Sequence, residues 1–197
     1  MNKFKDNAAT GTSFGILLAL SFSHLANDTL QSVISAVYPL LKESLALSFA
    51  QIGLITLVYQ ISASVFQPVV GFYLDKRPNP WFLPVGMTFT MTGLTTLAFA
   101  HTVTLTVVAV FLVGIGSSIL HPEASRLTSI ASGGKRGMAQ SLFQVGGNLG
   151  GSLGPLLVAL IIAPYGQKHI ALFSILSVIC IRQTMAVRPF VIGWFAS

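Results

Sequence analysis

Two short stretches set ionisable side chains inside apolar sequence: SHLAND, Ser23 to Asp28, and HPEASR, His121 to Arg126. Imidazoles and carboxylates gain and lose protons, whereas a guanidinium keeps its charge. A carboxylate beside an arginine is therefore a group whose protonation loosens an ion pair. In the first stretch His24 and Asp28 are four residues apart and Asn27 is three from His24, spacings that stack the side chains on one helical face. In the second, Glu123 and Arg126 are three apart, the spacing of an intrahelical pair, with His121 close by and Pro122 able to bend a helix and free a carbonyl. The run leading into HPEASR carries no charge from Thr104 to Leu120. An ionisable group at the centre of a membrane costs about 2.5–3.5 kcal/mol, so each needs a partner or water. Asp28, Glu123, Arg126, His24 and His121 are thus the proton-coupling candidates. The competing structural reading is a static Glu123–Arg126 pair, a simple kink at Pro122, and an Asp28 held protonated by a neighbouring amide.

The elements that must carry these groups follow from composition. Hydrophobic residues make up 53% of the chain and charged residues 8%, against about a quarter charged in soluble proteins. A helical span needs about 20 apolar residues. Five stretches qualify: Phe14 to Leu41, Phe49 to Leu74, Trp81 to Ala100, Thr104 to Ile130 and Met138 to Ala163. A sixth, Ile170 to Ile181, is weaker, because Arg182 and Gln183 interrupt it. Strands of a membrane barrel would show alternating runs of about ten residues, and none are present. The sequence predicts an all-α, polytopic membrane bundle of about six transmembrane helices over residues 14–181, after a cytoplasmic segment 1–13 and before an atypical tail 182–197. The first apolar stretch continues past Asp28 with no small-x-small cleavage site, which makes it an uncleaved helix rather than a leader. The single cysteine, Cys180, excludes an internal disulfide and a cysteine-based zinc site.

Charge asymmetry orients the bundle. With a cytoplasmic amino terminus, the inner segments hold Lys3, Lys5, Lys76, Arg77, Lys135 and Arg136, and the outer ones only Lys42, balanced by Glu43, and Lys168. The net charge of +6 reflects this topology, and no nucleic-acid partner is expected because no aromatic residues interleave with the basic ones. Connections are short and marked by Pro39, by Pro78 and Pro80, by SGGKRG, and by Pro164 to Gly166.

Six spans divide into two triplets, with His24 and Asp28 on the first helix of one and His121 to Arg126 on the first helix of the other. Internal repetition of this kind marks secondary transporters. The second helices also correspond: Gln60 and Gln67 lie one heptad apart, Gln144 and Asn148 one turn apart. These uncharged amides can line a substrate path or serve as interhelical hydrogen-bond glue. In QVGGNLGGSLGP, Gly146, Gly150 and Gly154 repeat every four residues, as do Gly147 and Gly151. Such a surface lets another helix approach closely, with Pro155 as a bend or pivot.

The segment GFYLDKRPNPW, Gly71 to Trp81, resembles the loop between helices two and three of the major facilitator superfamily. Gly71, Asp75, Lys76 and Arg77 fit the gating-loop pattern, whereas Pro78 and Pro80 replace its later glycine and basic positions. GNLGGSLGP is similar to the glycine and proline motif on helix five of that superfamily's drug and proton antiporters, and from about Thr12 to His169 the chain resembles its bacterial antibiotic-efflux members. The resemblance implies a multi-pass protein of the bacterial inner membrane that exchanges protons for a small, anionic drug, with Arg126 and a protonated His24 or His121 as counter-charges and no cofactor. It also implies twelve helices, of which 197 residues hold one half. The expectation is a truncated or frame-shifted product, or a fragment, completed by a missing carboxy-terminal half or by a second copy. The alternatives weighed are a metal-ion carrier using His24, Asp28, His121 and Glu123, for which no further His or Asp on helices two or five completes a shell; an intramembrane serine hydrolase built on Gly114, Ser117 and Ser118; and a membrane subunit that transports nothing.

Overall fold

The computed structural model describes residues 11–77 and 79–196, so Lys3, Lys5 and Pro78 lie outside the described residues. Every regular element among them is helical. Helix α1 runs Phe14–Ala36, breaks at Val37, and resumes as a short helix Tyr38–Ser44. Pro39 near the start of that second piece has no N–H to give to the first, which accounts for the break. Helix α2 covers Phe49–Lys76 and opens on a reciprocal cap, in which Ser48 Oγ accepts from Gln51 N–H and Gln51 Oε1 accepts from Ser48 N–H. It is interrupted at Val65, three residues before Pro68, whose ring excludes the usual bond to the carbonyl one turn back. Helix α3 is Phe82–Ala98, and α4 is Val103–Ala131, capped by the Thr102 hydroxyl accepting from Leu105 N–H. Helix α5 spans Arg136–Tyr165 and contains a π-helical turn at Val158–Ile162, just beyond Pro155. Helix α6, Phe173–Ala196, follows a 3₁₀ segment Gln167–Leu172. The α4–α5 connection turns through Gly133 and Gly134 with φ of 55° and 89°, a conformation that side chains resist.

Two boundaries differ from the sequence reading. Helix α6 passes through Arg182 and Gln183, because helical spacing sends them to different surroundings. Gln183 donates to Ala19 O (2.7 Å) and accepts from Ser23 Oγ (2.6 Å), docking α6 on α1, while Arg182 faces outward. Further along, the Arg188 guanidinium stacks 3.6 Å from the Trp81 ring centroid. The second span, read as ending at Leu74, runs on to Lys76, so most of the stretch from Gly71 that resembles a loop is the last part of α2, since no turn former follows Gly71 until Pro78.

Among the described residues four helices are long and apolar enough to cross a membrane: Phe49–Lys76, Val103–Ala131, Arg136–Tyr165 and Gln167–Gly193; Phe82–Ala98 is shorter but apolar. Helix α1 is less apolar because His24, Asn27, Asp28 and Gln31 interrupt its surface. The packing has the symmetry that two repeats require. Helix α1 packs most extensively on α5, and α4 on α3 and then α2; α6 packs on α1, and α1 also touches α4 and α3 touches α6. Exchanging the first three helices with the last three pairs α1–α5 with α4–α2 and α3–α4 with α6–α1, the α3–α4 contact being much the larger of its pair. Helices α1 and α4 are central, and α2 and α5 each keep an apolar flank exposed, including Leu54, Leu57 and Val69 on one and Val145, Leu149 and Leu160 on the other. Ser13 N–H donates to Ala131 O and Thr12 Oγ1 to Ser132 O, so the start of α1 and the end of α4 share one side of the bundle.

Candidate functional site

The polar stripe of α1 meets α4 at mid-length. His24 Nε2 lies 3.2 Å from Asp28 Oδ2, the contact that four-residue spacing predicts. The other carboxylate oxygen, Oδ1, lies 3.4 Å from His121 Nε2 across the helix crossing. The two imidazoles meet edge to face with centroids 5.0 Å apart. His121 therefore belongs with Asp28 and not with its own neighbour Glu123. His24 is buried and clamped from behind: its Nδ1 is 2.8 Å from Phe143 O on α5, and the Phe143 ring stacks on it at 4.0 Å. A carbonyl oxygen only accepts, so Nδ1 carries a proton and the free position of the neutral ring is Nε2, aimed at Asp28.

Three uncharged residues that the sequence reading did not place in the site complete it. Gln31 Nε2 sits 3.3 Å from Asp28 Oδ1 and 3.1 Å from His121 Nε2. Its carbonyl end is fixed by two hydroxyls, Tyr59 donating at 2.7 Å and Ser117 at 3.0 Å, so the amide can only present its NH₂ group to the centre. Gln31 continues the stripe three residues past Asp28, and Ser117 is four before His121; that periodicity was the available signal. Ser117, weighed as a nucleophile, instead serves as a donor to Gln31. Asn27 Nδ2 is 3.4 Å from both Asp28 Oδ1 and His121 Nε2, while its Oδ1 is buried with no partner.

Helix α5 forms the back of the site. A Cβ at Gly147 would lie 2.6 Å from His24 Nε2 and 2.8 Å from Asp28 Oδ2, so only glycine leaves room for this pair. Gly146, Gly150 and Gly154 bring α5 against the α1 backbone, where added side chains would strike Ser21 O, Leu25 O and Ser32 Oγ. Pro155 lies within the helix directly after them.

The second ionisable set is separate. Arg126 holds Glu123 through two parallel bonds, Nε to Oε2 and Nη2 to Oε1, each 2.8 Å. Glu123 is 1% exposed and the Arg126 side chain 18%, so the carboxylate is enclosed and the arginine partly exposed. Pro122 beside them stands 3.7 Å from where a Cβ on Gly71 would be, linking the end of α2 to the α4 site. Asp75, Lys76 and Arg77 are exposed, and Lys76 covers the Phe72 ring at 4.0 Å. The amides Gln60 and Gln67 lie outside the central network, Gln60 exposed; Gln144 donates to Asn148 Oδ1 at 3.2 Å on an exposed face of α5.

Residues 20–193 match the model of the Major Facilitator Superfamily. The chain belongs to that superfamily. Within it, the chain is 56% identical over 170 residues to the fosmidomycin resistance protein of Escherichia coli (strain K12), covering 86% of this chain and 42% of that protein. It is 44% identical over 186 residues to the uncharacterized MFS-type transporter YfnC of Bacillus subtilis (strain 168), covering 94% of this chain and 44% of that one. The chain thus spans less than half the length of these superfamily relatives. Among solved structures, a peptide transporter in complex with sulfate superposes with a TM-score of 0.77 over 95% of this chain and 42% of that one, at 21% identity. A bacterial homologue of the lysosomal transporter Spinster, inward-facing and unoccupied, gives 0.71 over 93% of this chain and 43% of that one, at 16% identity. The six-helix arrangement is therefore that of the superfamily, and the protein is a multi-pass membrane protein.

Proposed function

We propose that this chain is the amino-terminal half of a bacterial inner-membrane exporter that exchanges protons for a small anionic drug of the fosmidomycin type, with its amino terminus in the cytoplasm. The observation that carries the reading is the pair of ionisable sites on the two central helices, each partly open: the Asp28 side chain is 23% exposed and that of Arg126 18%. Ionisable groups set into membrane helices and turned to a cavity are the usual components of proton and substrate paths. The identity of 56% to a fosmidomycin resistance protein supports the drug class. Fosmidomycin is a phosphonate, and a guanidinium binds such oxygens bidentately.

In this scheme Arg126 is held by Glu123 until a proton neutralises the carboxyl group. Protonation loosens the hold of Glu123 on the guanidinium, which then takes the oxygens of an anion as its bidentate partner instead. Asp28 and its two imidazoles pass protons where the two central helices cross, and His121 can donate from Nε2 to Asp28 or accept at the same atom from Gln31. The exposed flanks of α2 and α5 are the surfaces against which the second half, or a second copy of the chain, completes the path.

The test uses inside-out membrane vesicles carrying the 197-residue chain together with the carboxy-terminal half of the E. coli fosmidomycin resistance protein. Fosmidomycin added outside should collapse an imposed pH gradient, and Glu123→Gln should abolish that response while the chain inserts at normal levels. Full drug-dependent proton movement by Glu123→Gln would remove Glu123 from the mechanism, and no response from the unaltered pair would remove the exporter reading itself.

A further inference from the structure

The His24–Asp28 contact contains a mismatch. With Nδ1 protonated to serve Phe143 O, a neutral His24 presents a lone pair at Nε2, and the ionised Asp28 presents another at Oδ2, 3.2 Å away. Two acceptors facing each other at this distance repel unless a cation sits between them. A proton on Nε2 is one such cation. A metal ion is the other, and several features around the pair match the surroundings of a metal.

His24 Nε2, an Asp28 oxygen and His121 Nε2 all lie within 4.8 Å of one another. Zinc bound to histidine and carboxylate at about 2.0–2.1 Å, in tetrahedral geometry, needs ligand atoms roughly 3.3 Å apart. His24 Nε2 stands 3.2 Å from Asp28 Oδ2 and His121 Nε2 3.4 Å from Oδ1, so each imidazole has one oxygen of the same carboxylate at that separation. The supporting groups are those that metal sites use: the second ring nitrogen of a ligand histidine bonded to a backbone carbonyl, and the ligand carboxylate held by a further donor. Phe143 O does the first and Gln31, fixed by Tyr59 and Ser117, does the second. A fourth donor is at hand. Asn27 Oδ1 is buried without a partner, and the amide that bears it already sits 3.4 Å from His121 Nε2, so rotation about its last bond turns that oxygen into the site.

We propose that His24, Asp28 and His121, with Asn27 as the fourth ligand, bind a divalent transition cation of the zinc class where α1 crosses α4. Glu123 has no part in it, being held by Arg126. The ion takes the atoms that a travelling proton would use and ties the two central helices together. If the exporter reading above holds, zinc therefore inhibits proton-coupled transport.

The site is tested on the full chain in detergent micelles with zinc chloride alone, following heat of binding and thermal unfolding. Saturable binding near one ion per chain is expected, with affinity falling at least about tenfold in His24→Ala and in His121→Ala. His101→Ala and His169→Ala, outside the cluster, should leave it unchanged. Zinc-edge X-ray absorption on the unaltered chain gives a reading that does not depend on how the variants fold, and two imidazoles at about 2.0–2.1 Å are expected. Absence of saturable binding, an affinity indifferent to His24 and His121, or a shell without imidazole overturns the proposal. A chain that binds zinc in this way but supports no drug-dependent proton movement upholds the site and sinks the exporter reading.

Discussion

Replacing Arg126 by methionine should destabilise the folded bundle by about 3–5 kcal/mol, the range for removing one partner of an enclosed ion pair. The effect comes from what is left behind. Glu123 is 1% exposed and both its oxygens are engaged by the guanidinium, so the variant strands a carboxylate in apolar surroundings. The double variant Arg126→Met with Glu123→Leu removes both charges at similar volume and should regain most of the loss, since well-packed apolar replacements of buried pairs are often neutral or better. Denaturant unfolding in a fixed detergent measures both. Equal midpoints for Arg126→Met and the unaltered chain would mean that water reaches Glu123.

A leucine at position 150 should cost about 1–3 kcal/mol or more and disable the α1 site as well. The Cβ of any side chain at Gly150 meets Leu25 O, with Leu25 C and Thr29 N at 3.0 Å, and all three are backbone atoms that cannot rotate aside. Helix α5 would have to move off α1, taking Phe143 O from His24. Gly151→Leu is the control: nothing lies within 4 Å of its added Cβ, and it should be neutral or slightly stabilising in the isolated chain, because glycine is a poor helix former. Unfolding midpoints that move equally for both would mean that α5 does not press on the α1 backbone at Gly150.

The sequence carried what is local. The pairs His24–Asp28 and Glu123–Arg126 lie four and three residues apart, so helix geometry alone places them in contact. The glycine spacing on α5 announced a close neighbour without naming it, because nothing in a single helix says which other helix will fill the groove. The destination of His121 was illegible for the same reason: it points across to Asp28, a relation set by the crossing of α1 and α4. Gln31, Tyr59 and Ser117 went unplaced because uncharged polar residues are affordable in membrane helices, and only the assembled bundle separates a member of this network from a residue outside it such as Gln60. The end of the sixth span was misjudged where Gln183 breaks an apolar run by composition yet finds both its partners on α1.

The two ionisable sites differ in what each can register. Both members of the Glu123–Arg126 pair ride on one helix, so their separation is blind to any rigid displacement of α4. The Asp28–His121 contact has one member on each central helix and stretches with the first ångström of relative slip. One travels intact with its helix; the other is a strain gauge for the bundle, and a vibrational or resonance probe placed there would read out the protein's posture directly.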